Sequence, residues 1–171
     1  REATGRGVAY LVNRATDTIG LDMSKATAVV QGYGNVGSIA ALSLARYGAK
    51  IIAVSDANGG ILNRTGFDLF ALNKYVAERK TVVGFPEAEP IANEQLLLLP
   101  CDILVPAALE RQITEANAGK IQCRILAEAD AMVCDTVDLA SERAIVLASE
   151  GWHPGIVGIV ASRIVERYGR P

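Results

Sequence analysis

A chain of 171 residues, half of them hydrophobic and 21% charged, has the composition of one globular domain and not of a disordered segment. Its formal net charge of -2 argues against a nucleic-acid partner, because nothing in the bulk electrostatics attracts a phosphate backbone. No apolar run approaches the roughly 20 residues of a membrane span, no signal peptide is visible, and the three cysteines (Cys101, Cys123, Cys134) lack CxxC spacing; they suit buried thiols of a reducing cytoplasm, not metal ligands or a disulfide frame.

Ala3 to Ile19 carries apolar residues at helical spacing (Val8, Leu11, Val12, Ala15, Ile19), and Gly20 supplies the stop. A chain starting at Arg1 inside such a helix reads as a piece cut from something longer. Thr27 to Val30 is a short β-branched run suited to a buried parallel strand. A glycine-rich turn follows, then a helix from Val36 to Tyr47 ending at Gly48, and a second buried strand over Lys50 to Ser55. Asn58-Gly59-Gly60 is a turn leading to a short edge strand at Ile61-Leu62. Phe67 to Arg79 is helical, with Phe67, Phe70, Leu72 and Val76 directed inward. Pro86 and Pro90 mark an irregular loop, and Asn93 to Leu99 makes one or two helical turns before Pro100.

Asp102 to Val105 is the third strand, Thr114 caps a short helix through Gly119, and Cys123 to Glu128 is the fourth strand. Ala129 to Ala140 is helical, Ala144 to Ala148 is the fifth strand, and Pro154 opens a final helix running to Tyr168. Alternating strands and helices imply an α/β fold, a Rossmann-like three-layer domain with a mostly parallel sheet. Crossover rules give the core strand order 2-1-3-4-5.

The turn reads Gly32-Tyr33-Gly34-Asn35-Val36-Gly37, a GxGxxG between strand and helix, with Asp56 at the end of the next strand. Gly32 permits the tight turn, Gly34 lets a pyrophosphate approach the backbone, and Gly37 lets the helix pack close to the strand. Free N–H groups at the helix start favour phosphate charge. Asp56 offers acceptors to both hydroxyls of an adenosine ribose and repels a 2′-phosphate, which favours NAD over NADP unless a cation such as Arg64 compensates.

The stretches REATGRGVAY, VVQGYGNVGS, AVSDANGGI, CDILVPAALE and ITEANAGKIQCRILAEA resemble the nucleotide-binding domain of the glutamate/leucine/phenylalanine/valine dehydrogenases, closest to the glutamate dehydrogenases. The resemblance covers residues 1 to about 129. It implies that Thr4 faces the nicotinamide carboxamide, that Asn35 and Val36 lie on the pyrophosphate, and that Ala107 and Ala108 line the cleft beside the riboses; for these alanines tight strand-end packing is an equal reading. The family's substrate domain, with its catalytic lysine and aspartate, has no room in a chain of this size. The family's Asn-Gly-Pro-Thr segment is also replaced, since Glu128-Ala129 runs into Asp130-Ala131-Met132.

The segment AIVLASEGWHPGIVGIVASRIVERYGRP resembles the RecJ single-strand exonuclease family, in which it is a strand, a loop and a helix. Under that resemblance His153 and the Gly151–Gly155 loop would face phosphate or nucleic acid; the plainer reading is a helix-start cap at His153 and a hydrophobic plug at Trp152. A single histidine cannot rebuild a two-metal nuclease site. Two resemblances within one sheet lead to the expectation of an engineered chimera joined near Ala127–Ala131, with misfit expected around Cys134 and Val137. Ile145, Val146 and Leu147 would then face both helix layers, and Ile156, Val157, Ile159, Val160 and Ile164 would cover one face of the sheet. Such a chain would be a monomeric, non-catalytic domain with weak NAD affinity and no metal. The alternatives are the nucleotide-binding fragment of an NAD-dependent glutamate dehydrogenase and, third, a nucleic-acid-processing protein.

Overall fold

The computed structural model describes residues 2–108, 112–129, 144–148 and 157–161. Helix α1 (Glu2–Ile19) leads into β1 (Thr27–Gln31), α2 (Asn35–Arg46) and β2 (Lys50–Asp56). Then come β3 (Gly59–Leu62), α3 (Leu69–Arg79), β4 (Glu89–Ile91) and the single turn α4 (Asn93–Leu96). The chain continues through β5 (Ile103–Pro106), the short α5 (Glu115–Ala118), β6 (Ile125–Ala129), β7 (Ala144–Ala148) and β8 (Val157–Ala161).

Among the described residues the strands form one sheet in the order β4-β3-β2-β1-β5-β6-β8-β7. The central run β2-β1-β5-β6-β8 is parallel, while β3 and β4 on one side and β7 on the other are antiparallel. This is the expected α/β, Rossmann-like arrangement with a mostly parallel sheet.

The strands alternate between two apolar layers, as a sheet buried on both faces requires. Ala28, Val30, Ile51, Val54, Ile103, Val105 and Ile125 pack with Val8, Val12, Ala40 and Leu44 of α1 and α2. Val29, Ile52, Ala53 and Leu104 pack on the opposite face with Leu96, Leu97, Ile121 and Cys123. The pairing of β1 with β2 skips Ile52, so Ile52 and Ala53 both belong to the second layer despite being neighbours.

Four expectations need correction. The core order 2-1-3-4-5 holds through the fourth strand, but β8 separates it from the fifth, which becomes the antiparallel edge strand β7. Residues 157–161, read as part of a final helix, form β8, paired with β6 from Ile125↔Val157 to Ala129↔Ala161; they lie within the sheet and do not cover its face. A short apolar run has no period that separates helix from strand, and Val157, Ile159 and Val160 are β-branched while Gly158 is a poor helix former. Ile61-Leu62 is not at the edge, because β4 pairs outside it; Pro90, which lacks an N–H, fits such a short outer strand. Phe70 is 82% exposed. Asp68 caps α3 by accepting from the Phe70 and Ala71 N–H groups, and the inward stripe then runs through Leu69, Leu72 and Val76, leaving Phe70 off it. Replacing Phe70 with Ser should shift stability by no more than about 0.5 kcal/mol in a urea titration.

Ala129, expected to open a helix running to Ala140, is instead the last residue of β6; residues 130–140 of that helix, the Gly151–Gly155 loop with Trp152 and His153, and Cys134 and Val137 lie outside the described residues. Cys101 and Cys123 precede the neighbouring strands β5 and β6 and are free thiols. Burial pushes the Cys123 thiol from the ordinary 9.0 up to about 12, and burial followed by its neighbours Cys123 and Asp102 pushes Cys101 up as well. Below pH about 9 both states keep these thiols protonated. Above that the unfolded chain loses the protons first, so stability should fall from there toward the folded value of about 12. Denaturant midpoints measured from pH 8 to about 11 check this sign, and a C101S/C123S variant should flatten the slope.

Candidate functional site

The carboxyl ends of β1, β2 and β5 meet where the chain leaves β1 for α2, which is the crevice at which open α/β sheets bind ligands. Local sequence explains the turn. Gly32 adopts φ +89°, and a Cβ there would lie 2.6 Å from the Ala107 carbonyl oxygen. Gly37 sits against the turn itself, since its Cβ would fall 1.9 Å from the Gly32 carbonyl oxygen. Gly34 differs: it is the extended residue that opens α2, and a Cβ built on it meets nothing within 4 Å. The three glycines therefore do separate work, one for turn conformation, one for helix–strand approach, and one leaving open space in front of a helix start.

Asp56 ends β2 beside this turn. The Gly32 and Tyr33 N–H groups both donate to the Ser55 carbonyl, fixing the turn to the strand end one residue from Asp56. The Asp56 carboxylate accepts the Asn58 N–H at 2.8 Å on one oxygen and the Val82 N–H at 2.7 Å on the other. The Asn93 side-chain amide donates to the Asp56 carbonyl at 3.1 Å.

Ala107 donates its N–H to the Gln31 carbonyl at 2.7 Å, and Ala107 and Ala108 abut Gly32 through their backbone, so both alanines border the turn. Thr4 lies on α1 next to Gly5, whose missing Cβ allows contact with the Val36 carbonyl and Ile39 at the start of α2. Gly32, Gly34, Asn35, Val36, Gly37, Asp56, Ala107 and Ala108 are thus gathered at one end of the sheet, with Thr4 joined to them through the α1–α2 contact.

Several contributors carry no signal in a motif reading. Tyr33 is 4% exposed, and its hydroxyl donates to Asn73 of α3 at 3.0 Å. Burial pushes its phenol up, which keeps that donor protonated. Gln31 donates its side-chain amide to Gln112 at 3.0 Å, tying the segment after β5 to the end of β1. Gly5, which the motifs do not single out, leaves one general signal: a glycine inside a helical pattern needs a packing reason.

The Ser55 hydroxyl is buried and has no hydrogen-bond partner among the described residues. Ser55→Ala should therefore leave stability unchanged or raise it by about 1 kcal/mol, since an unpaired buried hydroxyl costs free energy; a loss of more than about 2 kcal/mol in urea unfolding would contradict this. Among the described residues no group of three or more His, Cys, Asp or Glu side chains could hold a metal ion, and no helix is long and apolar enough to cross a membrane.

The Glutamate/Leucine/Phenylalanine/Valine dehydrogenase model matches residues 1–149. The chain belongs to this family. It is 51% identical over 128 residues to a glutamate dehydrogenase of Thermotoga maritima, covering 74% of this chain and 31% of that protein. It is 36% identical over 163 residues to an NADP-specific glutamate dehydrogenase of Saccharolobus shibatae, covering 91% of this chain and 38% of that one. Among solved structures, the hetero-hexameric glutamate dehydrogenase of Thermus thermophilus in its Leu-bound form superposes with a TM-score of 0.66 at 29% identity, over 75% of this chain and 30% of that chain. Plasmodium falciparum glutamate dehydrogenase 2 gives 0.68 at 28% identity over the same shares. The chain spans about a third of the length of the curated relatives it matches.

These comparisons correct the expectation of a chimera. The family match runs to residue 149, through the join expected at Ala127–Ala131, and the S. shibatae relative aligns over nine-tenths of the chain. They support the dehydrogenase resemblance and lend nothing to an exonuclease segment.

Proposed function

We propose that this chain is the nucleotide-binding portion of a glutamate dehydrogenase and that its sheet-end crevice holds NAD. The observation that carries the reading is the open face of Gly34, set at the start of α2 and one strand away from Asp56. A diphosphate placed there meets free helix-start N–H groups and the positive end of the helix dipole, with no side chain in its path. The fit is physical: this is a cradle that a Cβ would fill, in a family whose members use nicotinamide dinucleotides.

In this reading Gly32, Gly34, Asn35, Val36 and Gly37 hold the pyrophosphate. Asp56 accepts the hydroxyls of the adenosine ribose, Ala107 and Ala108 border the riboses, and Thr4 lies toward the nicotinamide side. When bound, the dinucleotide would supply a hydride acceptor for an amino-acid substrate. This chain's own residues bind and orient it. The family's substrate-binding groups belong to a domain outside the stretch matched here, so the chain alone supplies one wall of the active site. Binding to the isolated chain should accordingly be weaker than to a two-walled cleft, and turnover should require the second domain.

NAD is preferred over NADP because the carboxylate of Asp56 would meet a 2′-phosphate with like charge. The family includes NADP-specific members, so the choice rests on Asp56 and its surroundings and not on family membership. Calorimetric titration with each dinucleotide tests the reading. Saturable 1:1 binding of NAD, tighter than that of NADP, is expected. Absence of heat and of any thermal shift with both would overturn it.

A further inference from the structure

Asp56 is held from outside its own strand by a segment that no motif predicts. Between α3 and β4, residues 81–85 fold back so that the Val82 N–H reaches the Asp56 carboxylate at 2.7 Å, across 26 positions of sequence. The Val82 side chain is fully buried in the α1–α2 core layer, which anchors the segment at that residue. Tyr75 of α3 donates its hydroxyl to the Val83 carbonyl at 3.0 Å. Phe85 closes the far end, its ring edge-on to Tyr75 at 5.5 Å and to Phe67 at 6.1 Å. Gly84 takes φ +83° beneath the Tyr75 hydroxyl, 3.0 Å from where a Cβ would stand.

We propose that residues 81–85 form a specificity-determining clip, in which the Val82 N–H fixes the Asp56 carboxylate in the orientation that receives the adenosine ribose diol and rejects a 2′-phosphate. The inference rests on the cofactor reading above. With one backbone N–H on each oxygen, from Asn58 and from Val82, the plane of the carboxylate is set. Both oxygens keep a second lone pair, so two vicinal hydroxyls can donate side by side without the group turning. Released from Val82, the carboxylate rotates about its side-chain bonds. It then satisfies the diol less well and is free to swing away from a phosphate. The clip thus acts on the ratio between the two dinucleotides more than on the affinity common to both. Val82 and Tyr75 are positioning residues, because neither needs to touch the nucleotide.

The test is calorimetric titration of the full chain with NAD and, separately, with NADP. Three variants are compared with the parent chain: Tyr75→Phe, which removes the hydroxyl bond to Val83; Val82→Pro, which removes the N–H itself; and Phe70→Ser, an exposed control on α3. Tyr75→Phe and Val82→Pro should each lower the NAD-to-NADP affinity ratio, by about threefold to tenfold, the scale of one hydrogen bond, while Phe70→Ser leaves it unchanged. Circular dichroism and urea midpoints report whether each variant folds; should Val82→Pro not fold, Tyr75→Phe decides the matter. An unchanged ratio, or an equal weakening of both dinucleotides, overturns the clip while leaving the cofactor site intact. A parent chain that binds neither dinucleotide overturns the cofactor reading itself, and the clip with it.

Discussion

Gly37→Ala is expected to destabilise the chain by on the order of 3–5 kcal/mol, or to prevent folding, through one added methyl group. The added Cβ would stand 1.9 Å from the Gly32 carbonyl oxygen, 3.0 Å from its carbon and 3.2 Å from a Val30 methyl. The first two are backbone atoms of the turn, so no rotamer change relieves the clash. Either α2 lifts off β1 or the turn opens. Lifting α2 also disturbs its packing on α1, where Gly5 already brings the two helices into backbone contact. Opening the turn breaks the Gly32 and Tyr33 bonds to the Ser55 carbonyl. Urea unfolding followed by far-ultraviolet circular dichroism checks the magnitude; a loss below about 0.5 kcal/mol, an ordinary surface effect, would contradict it.

Gly34→Val should do the opposite, sparing the fold and abolishing the ligand site. Gly34 has φ -89° and ψ -156°, an extended conformation open to any L-residue, and a Cβ there meets nothing within 4 Å. Its urea midpoint should stay within about 0.5 kcal/mol of the parent. The branched side chain would instead occupy the space in front of the α2 N-terminus where a pyrophosphate approaches. NAD affinity should fall by at least about tenfold, the loss expected when contacts worth about 1.4 kcal/mol disappear. Titration of Gly34→Val with NAD reads this directly, and undiminished binding would place the dinucleotide elsewhere. The two glycines stand three positions apart in one motif, yet stability rests on one and binding on the other.

The contrast marks what a local pattern conveys. Gly32, Gly34, Gly37 and Asp56 were legible because their tasks are set by nearest neighbours: a strand, a turn and a helix start adjacent in sequence. The parallel core was legible for the same reason, its β-branched runs separated by helical spacing. Contacts across long stretches of chain were not. The Val82 N–H that fixes Asp56 is a backbone group, identical in every residue but proline, so no side-chain pattern announces it. Tyr33 reads as a spacer within GxGxxG, and only the packing of α3 makes its hydroxyl a partner for Asn73.

Other departures share a physical cause. The helical pattern places Phe70 inward, but the Asp68 cap sets the phase of α3 and turns it outward. Residues 157–161 fall within a stretch that Pro154 at a first turn and Gly169 as a stop mark as a helix. Pairing of β6 with β8 over five residues decides for a strand, because a parallel edge strand exposed to solvent leaves its ladder groups unmatched. The similarity of GWHPGIVGIVASR to another family points toward a join near Ala127–Ala131, whereas the dehydrogenase match runs through those residues as far as 149.

The crevice at the ends of β1, β2 and β5 is, in the proposed reading, a dinucleotide site. Calorimetric titration of NAD into the parent chain and into Gly34→Val, at matched concentration and with folding verified, tests it most directly. Saturable 1:1 binding to the parent and a loss of at least about tenfold in the variant are expected. No binding to the parent, or equal binding to both, would contradict it.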